Sequence, residues 1–154
     1  MAISGTRSAG AEHSMDDCYV AVDLTPAASS YVDISTWGAS VRTSGGEAST
    51  SRFHTFSGDP IAQVGKTGPR RVEVTCVFTD TSTDPFAQIF ALSAGDLMDV
   101  QWSKSNTSGE LEFTTSAGKF VHCTIPEADS NRGDVRTFRF IVEADSIGAA
   151  AITP

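Results

Sequence analysis

Gly65-Lys66-Thr67 has the residue types that close a phosphate-binding loop, where backbone N–H groups wrap the phosphates and the lysine neutralises them. That loop also needs a glycine five positions before Gly65. Position 60 is Pro60, which has no N–H to donate. A helix must follow, so that its positive end meets the anion. Here Thr67 runs through Gly68-Pro69-Arg70-Arg71 into Val-Glu-Val-Thr-Cys-Val-Phe-Thr, which alternates as a strand does. Spacing and context both exclude a phosphate site.

No other constellation replaces it. The chain has no Gly-x-Ser-x-Gly elbow, no His-Glu-x-x-His and no dinucleotide glycine pattern after a strand. His122 and Cys123 are adjacent in a strand-like segment, so they point to opposite faces and cannot share a metal. Glu12-His13-Ser14-Met15-Asp16-Asp17 gathers four ligand-capable groups, but at the junction of an aperiodic arm, where nothing fixes a coordination geometry. Asp96 and Asp99 read as turn and surface charges. Cys18, Cys76 and Cys123 are an odd set without Cys-x-x-Cys spacing, and fit small buried hydrophobes in a reducing compartment. The expectation is a protein without catalytic, cofactor or metal sites, and not an enzyme.

The 154 residues suffice for one domain with a real core, and the composition, 40% hydrophobic and 19% charged, fits a folded β-rich chain. A net charge of −8 argues against the whole surface binding nucleic acid or anionic membrane. No apolar run approaches a membrane span of roughly 20 residues. The N-terminal segment lacks the apolar stretch of a signal peptide, so export by that route is not expected.

Residues 1–15 are small and polar and read as a flexible arm. Residues 16–145 form the domain, and 146–154 read as a C-terminal extension. Strands are expected at 18–24 and 30–35, closed by Thr25-Pro26 and by a polar segment. The clearest strand is Arg71–Thr79, with Val72, Val74, Cys76 and Phe78 on the buried face. Helix signals follow over 84–94: Asp84 as N-cap, Pro85 at the first position, Phe86, Ile89 and Phe90 on one stripe, and Gly95 as the stop. Further strands are read at 96–103, 109–115, 118–126 and 134–144, the last placing Phe138, Phe140 and Val142 on one side. Seven or so strands with one helix predict a mainly β fold, a β-sandwich or squashed barrel with the helix on its flank.

Between the second strand and Arg71 lies an excursion of about 35 residues, where connections in compact domains run roughly 4–6. It is read as a long loop over 38–68, with room for a hairpin of Ser40–Thr43 against Ser51–Phe56 turned at Ser44-Gly45-Gly46. From Gly38 to Arg71 there are five basic residues (Arg42, Arg52, Lys66, Arg70, Arg71) against two acidic ones (Glu47, Asp59), while the other segments carry six basic against seventeen acidic. A basic loop on an acidic body steers copies head to tail, with Phe53, Phe56 and Ile61 as apolar anchors. Such contacts produce rings or filaments.

This layout resembles that of the tail tube (major tail) proteins of long-tailed bacteriophages: an arm, two early strands, a long loop before Val72–Asp80, a helix entered by Thr83-Asp84-Pro85-Phe86, a strand-rich half and a C-terminal extension. The resemblance rests on order and size over nearly the whole chain. It implies a structural virion protein: a β-sandwich whose inner sheets join, six to a ring, into a barrel around a lumen that conducts the genome. It also implies that the loop and both termini tie rings together, with a tape measure and a terminator as partners and assembly in the host cytoplasm. The interface candidates are then Trp37, Arg42, Arg52, Phe53, Phe56, Ile61 and Lys66. Six copies at −8 carry about −48, so an acidic lumen that lets DNA slide is expected, with Glu73, Asp99, Glu110 and Glu112 as candidates. Secretion-tube, terminator and capsid decoration proteins are structural alternatives. A ligand- or carbohydrate-binding β-sandwich is a second class, but such modules expose an aromatic platform, and with Trp37 and Trp102 as the two tryptophans and Trp102 in a core-like register that signal is weak.

Overall fold

The computed structural model describes residues 18–58, 60–127 and 135–153. The expected N-terminal arm and the Glu12–Asp17 acidic cluster lie outside the described residues.

Two sheets enclose the core. One contains β1 (Tyr19–Asp23), β2 (Val32–Asp33), β7 (Asp99–Ser103), β8 (Leu111–Ser116) and β11 (Ser146–Ala151), in the order β11-β8-β7-β1-β2. The other contains β3 (Gly38–Gly45), β6 (Arg70–Val77), β9 (Lys119–Cys123) and β10 (Thr137–Ala144), in the order β3-β6-β10-β9. All the pairings are antiparallel, which leaves one face of each sheet for the core and one for water.

Alternation decides what the core contains. Val72, Val74 and Cys76 of β6 face Phe138, Phe140 and Val142 of β10 in register, and all six are essentially inaccessible. Val20 and Val22 of β1, and Val100 and Trp102 of β7, meet them from the other sheet. Phe120 and Cys123 add the β9 side. The mainly β sandwich read from the pattern is the architecture found.

The helix, α1 (Pro85–Phe90), is shorter than the expected 84–94. Asp84 does occupy the N-cap with extended backbone, and Ile89 is fully buried. The chain leaves the helix at Ala91 because Asp96 takes the Ser93 N–H (2.8 Å) and Gly95 donates to the Phe120 carbonyl (2.8 Å). Gly95, at φ +97°, therefore turns the chain four residues after Ala91, where the helix has already ended. Phe86 anchors α1 edge-on against Phe78 (4.9 Å between centroids) and Phe138 (5.2 Å).

Two expectations need correction. The segment 146–154 is not a free extension over its length: Ser146–Ala151 pairs with Leu111–Ser116 and forms an edge of the first sheet. The long loop over 38–68 is not a loop. Gly38–Gly45 is β3 of the second sheet, paired with β6. Beyond it, β4 (Ala48–His54) and β5 (Pro60–Thr67) pair with each other as a separate two-stranded ribbon. The expected turn at Ser44-Gly45-Gly46 is instead a break in a hairpin that turns at Thr55–Gly58.

Phe140 has no accessible surface and sits centrally in β10. Phe140→Ala is expected to cost about 3–5 kcal/mol of unfolding free energy, as large-to-small changes of buried aromatics do. Urea denaturation of the purified protein measures it.

Candidate functional site

One long hairpin organises the accessible features. Its first half, β3 with β6, belongs to the core; its second half, β4 with β5, projects as an arm. Pairing nearly continues across the junction, with Gly46 N–H donating to the Pro69 carbonyl (3.0 Å) and Gly68 N–H to the Glu47 carbonyl (3.2 Å). Gly45 and Gly46 take φ of +77° and +75° there, a left-handed conformation that glycine adopts without strain. Gly65, Lys66 and Thr67, the phosphate-loop fragment, lie inside strand β5, a context with no loop and no helix end.

The interface candidates distribute along this hairpin. Phe56 stands at the tip, fully exposed, in a turn closed by Gly58 N–H to the Thr55 carbonyl (2.8 Å). Lys66 is exposed on β5. Phe53 and Ile61 are direct cross-strand partners, as are Arg52 and Ala62, but the side chains of Arg52, Phe53 and Ile61 lie outside the described residues. Arg42 is exposed on β3 beside Glu73 of β6. Trp37 is at the other end, immediately before β3, half-buried against the core, its carbonyl accepting from Val77 N–H (2.7 Å).

The four acidic candidates do not share a surface. Glu73 is on the outer face of the four-stranded sheet, where Arg139 Nη1 lies 3.5 Å from its Oε1. That face also carries Arg71 opposite Glu143, Glu143 opposite Lys119, and Arg42 opposite Glu73. Among these charged groups four are cationic (Arg42, Arg71, Lys119, Arg139) and two acidic (Glu73, Glu143), so the face carries an excess of cations, with Arg139 and Glu73 paired. Glu112 is on the opposite side of the sandwich, since its neighbour Phe113 stacks inward on Trp102 (5.7 Å).

Asp99, expected on a wet face, is only 8% exposed. Its Oδ1 accepts from Thr115 Oγ1 and from Gly118 N–H, both at 2.8 Å, while Thr115 Oγ1 accepts from Val100 N–H. It ties β7 to the turn after β8. Glu110 is not on a strand: it closes the turn before β8, and the Ser105 hydroxyl and N–H it accepts hold its carboxyl below the usual range. Asp23, buried opposite Asp99 across β1 and β7, accepts from Thr25 and Ser30 N–H. These internal uses of carboxylates are invisible to alternation, which reports direction and not partners. The Asp-x-Thr spacing of Asp23 and Thr25 is the one local signal of such a turn.

His122 is exposed and Cys123 buried on β9, as alternation requires. Burial pushes the thiols of Cys76 to about 12 and Cys123 to about 11. Among the described residues no group of three or more His, Cys, Asp or Glu is placed to hold a metal. No helix among the described residues is long and apolar enough to cross a membrane.

The fold so built is that of tail-tube proteins. At 14% identity the chain superimposes on a component of the sheath–tube complex of an extracellular contractile injection system, PVC, in its extended state, with a TM-score of 0.68 over 94% of this chain and 95% of that one. It is as similar to a chain of the anti-feeding prophage tube-terminating cap (0.67, 14% identity, 98% and 99% covered). A chain of the tail of an empty gene transfer agent particle, solved with C6 symmetry, follows at 0.58 (15% identity, 91% and 98% covered). No protein-family model matches the chain, and no curated protein does.

Burial first, then the negative charge of Asp99, Asp23 and Glu112, raises the Tyr31 phenol to about 12. Because the folded state favours the neutral phenol, its stabilising contribution is complete below the unfolded value of about 10 and is lost as pH rises from there through about 12. Ultraviolet absorbance titration should show a late tyrosine step near 12, absent in Tyr31→Phe.

Proposed function

We propose that this chain is a structural, non-enzymatic subunit that forms hexameric rings stacked into the tube of a phage-tail-like particle. The observation that carries the reading is the hairpin β3–β6, whose outer half leaves the sandwich as an arm with an exposed aromatic tip. A folded monomer gains nothing from such an arm; an assembly does.

The four-stranded sheet is also the one suited to joining between copies. Its edge strand β3 is eight residues long and open among the described residues, while β9, five residues long, is covered at its start, where Phe120 exchanges backbone hydrogen bonds with Gly95 and Asp96. The five-stranded sheet ends on one side in the two-residue β2, a blunted edge. Four strands at roughly 4.8 Å spacing are narrower than five, so the four-stranded layer fits the inner circumference and the five-stranded layers the outer one. Sixfold symmetry is supported by the C6 tail and by a similar chain from the six-fold symmetrised anti-feeding prophage baseplate.

This arrangement revises the acidic lumen. The face turned to the bore is then the outer face of the four-stranded sheet, with Glu73 and Glu143 outnumbered by Arg42, Arg71, Lys119 and Arg139, while Glu112 faces outward and Asp99 is engaged internally. A polyanion inside such a bore would feel a salt-dependent attraction. Passage of DNA through a bacteriophage tail, with a tape measure and a terminator as partners and assembly in the host cytoplasm, is the narrower form of the proposal. The first two likenesses equally suit the tube of an injection particle.

Replacing Gly46–Pro69 by Asn-Gly removes the arm and closes β3 onto β6 with a two-residue turn, keeping both core strands. Electron microscopy with light scattering is expected to show tubes for the full chain and single rings or monomers for the variant. Tubes of normal length from the armless chain would sink the reading.

A further inference from the structure

Beside Trp37, between β2 and α1, an apolar pocket of about 330 Å³ opens to solvent. The outer face of the four-stranded sheet is more telling, because its charges define a partner. Arg42 stands directly opposite Glu73, and Arg71 precedes Glu73 by two residues on the same strand. Arg139, opposite Thr75, reaches Glu73 from the other side, Nη1 to Oε1 at 3.5 Å. Direct and diagonal cross-strand neighbours lie about 5–8 Å apart, so three guanidinium groups surround one carboxylate. Two positive charges are left over.

The cluster is on the solvent side because Val72, Val74 and Cys76 take the alternate positions inside. Arg42 and Arg71 are exposed, and the Arg139 side chain is 46% exposed. Ser40, Ser44 and Thr75 fill the intervening places. Toward β9 the balance reverses, since Glu143 and Asp145 share a hollow with Lys119. The excess of cations therefore lies on the β3 side of the face.

Chemistry narrows the partner. A guanidinium forks onto two oxygens of a phosphate or carboxylate and stays charged at any working pH. On an open sheet face a small anion would remain mostly in water, whereas small ligands are held in concave sites. The outward positions of β3, β6 and β10 carry no aromatic side chain. That leaves neither the anchors of a protein interface nor a platform for stacking single-stranded bases. Arginines and hydroxyls on a flat face suit the backbone of a duplex, which such groups contact without reading bases. The net charge of −8 does not forbid this. At physiological salt the Debye length is about 8 Å, while packed sheets lie roughly 10 Å apart, so acids of the other sheet are largely screened.

We propose that the arginines around Glu73 bind the phosphate backbone of double-stranded nucleic acid, without sequence preference. The binding belongs to a single copy; only its placement in the bore rests on the tube reading. There the wall would hold a duplex, where an acidic lumen would repel one.

Fluorescence anisotropy of a short labelled duplex tests this, titrated with the full chain at concentrations below tube formation. Binding is expected to weaken about sevenfold between 0.1 and 0.3 M salt, the change that neutralising two phosphates per copy gives. Arg42→Ser combined with Arg71→Ser is expected to abolish it. Asn106→Asp combined with Ala150→Glu makes the same change in net charge at exposed positions off the face, and should leave binding intact. Glu73→Gln is expected to tighten binding about twofold to fivefold, the range of one exposed ion pair. Misfolding would not produce that gain. No binding by the unmodified chain, equal losses in the two double variants, or equally tight binding of a glutamate-rich peptide overturns the proposal. Tubes from a chain that binds no duplex overturn it while leaving the tube reading intact. Arginine-dependent binding by a chain that forms neither rings nor tubes upholds it and removes the bore.

Discussion

The antiparallel pairing of β3 with β6 is the constraint on which the remaining structure depends. Its inner residues, Val41, Val72, Val74 and Cys76, are held by the core, so the register Arg42–Glu73 and Ser44–Arg71 is fixed. A one-residue slip would turn Val72 and Val74 to water and bring Arg71 and Glu73 inside. Because the arm is the same hairpin continued, core packing decides where the arm leaves. It also decides which side chains form the charged lattice of the outer face. Gly45-Gly46 and Gly68-Pro69 let the ribbon change direction without releasing it, since left-handed glycines relieve the backbone and two carbonyl contacts bridge the gap.

The same economy governs the acids. A chain of net charge −8 has carboxylates to spare, yet several are spent internally. Asp23 fastens the segment after β1, Asp99 fastens the turn between β8 and β9, and Glu110 fastens the turn before β8. Each satisfies backbone N–H groups that strand pairing leaves over, which a buried or half-buried turn requires. Net charge consequently says little about the potential at any one surface: the outer face of the four-stranded sheet carries more cations than acids although the protein is acidic.

How much was legible follows from which signals are local. Period-2 alternation marked Val72–Cys76 and Phe138–Val142, because a half-buried strand writes its two faces into successive residues. It gave the sandwich and the core. Asp84-Pro85 marked the helix start, whereas its end depended on Asp96 and Phe120, contacts that spacing alone does not reveal. The arm was the hardest element: Ala48–His54 and Pro60–Thr67 show no period-2 alternation, so the sequence supports only a long loop with room for a hairpin. Ser44-Gly45-Gly46 looked like a turn because left-handed glycines serve turns and hinges alike. Ser146–Ala151, small and weakly apolar, gave no strand signal, and its pairing with β8 is decided by position.

The site, unlike the fold, is defined by what the monomer leaves uncovered. Phe56 and Trp37 were both legible in the sequence as interface candidates, Phe56 as an apolar residue in a basic segment and Trp37 at the start of the long excursion, but the pocket beside Trp37 was not. Only the three-dimensional placement sets them at opposite ends of a single hairpin. A globular enzyme gathers its functional residues into one cleft. A polymerising subunit must instead separate the two halves of its contact, so that neither can be satisfied within one chain. Here the length of the hairpin makes that separation, and the core that fixes its register sets where the arm leaves the sandwich.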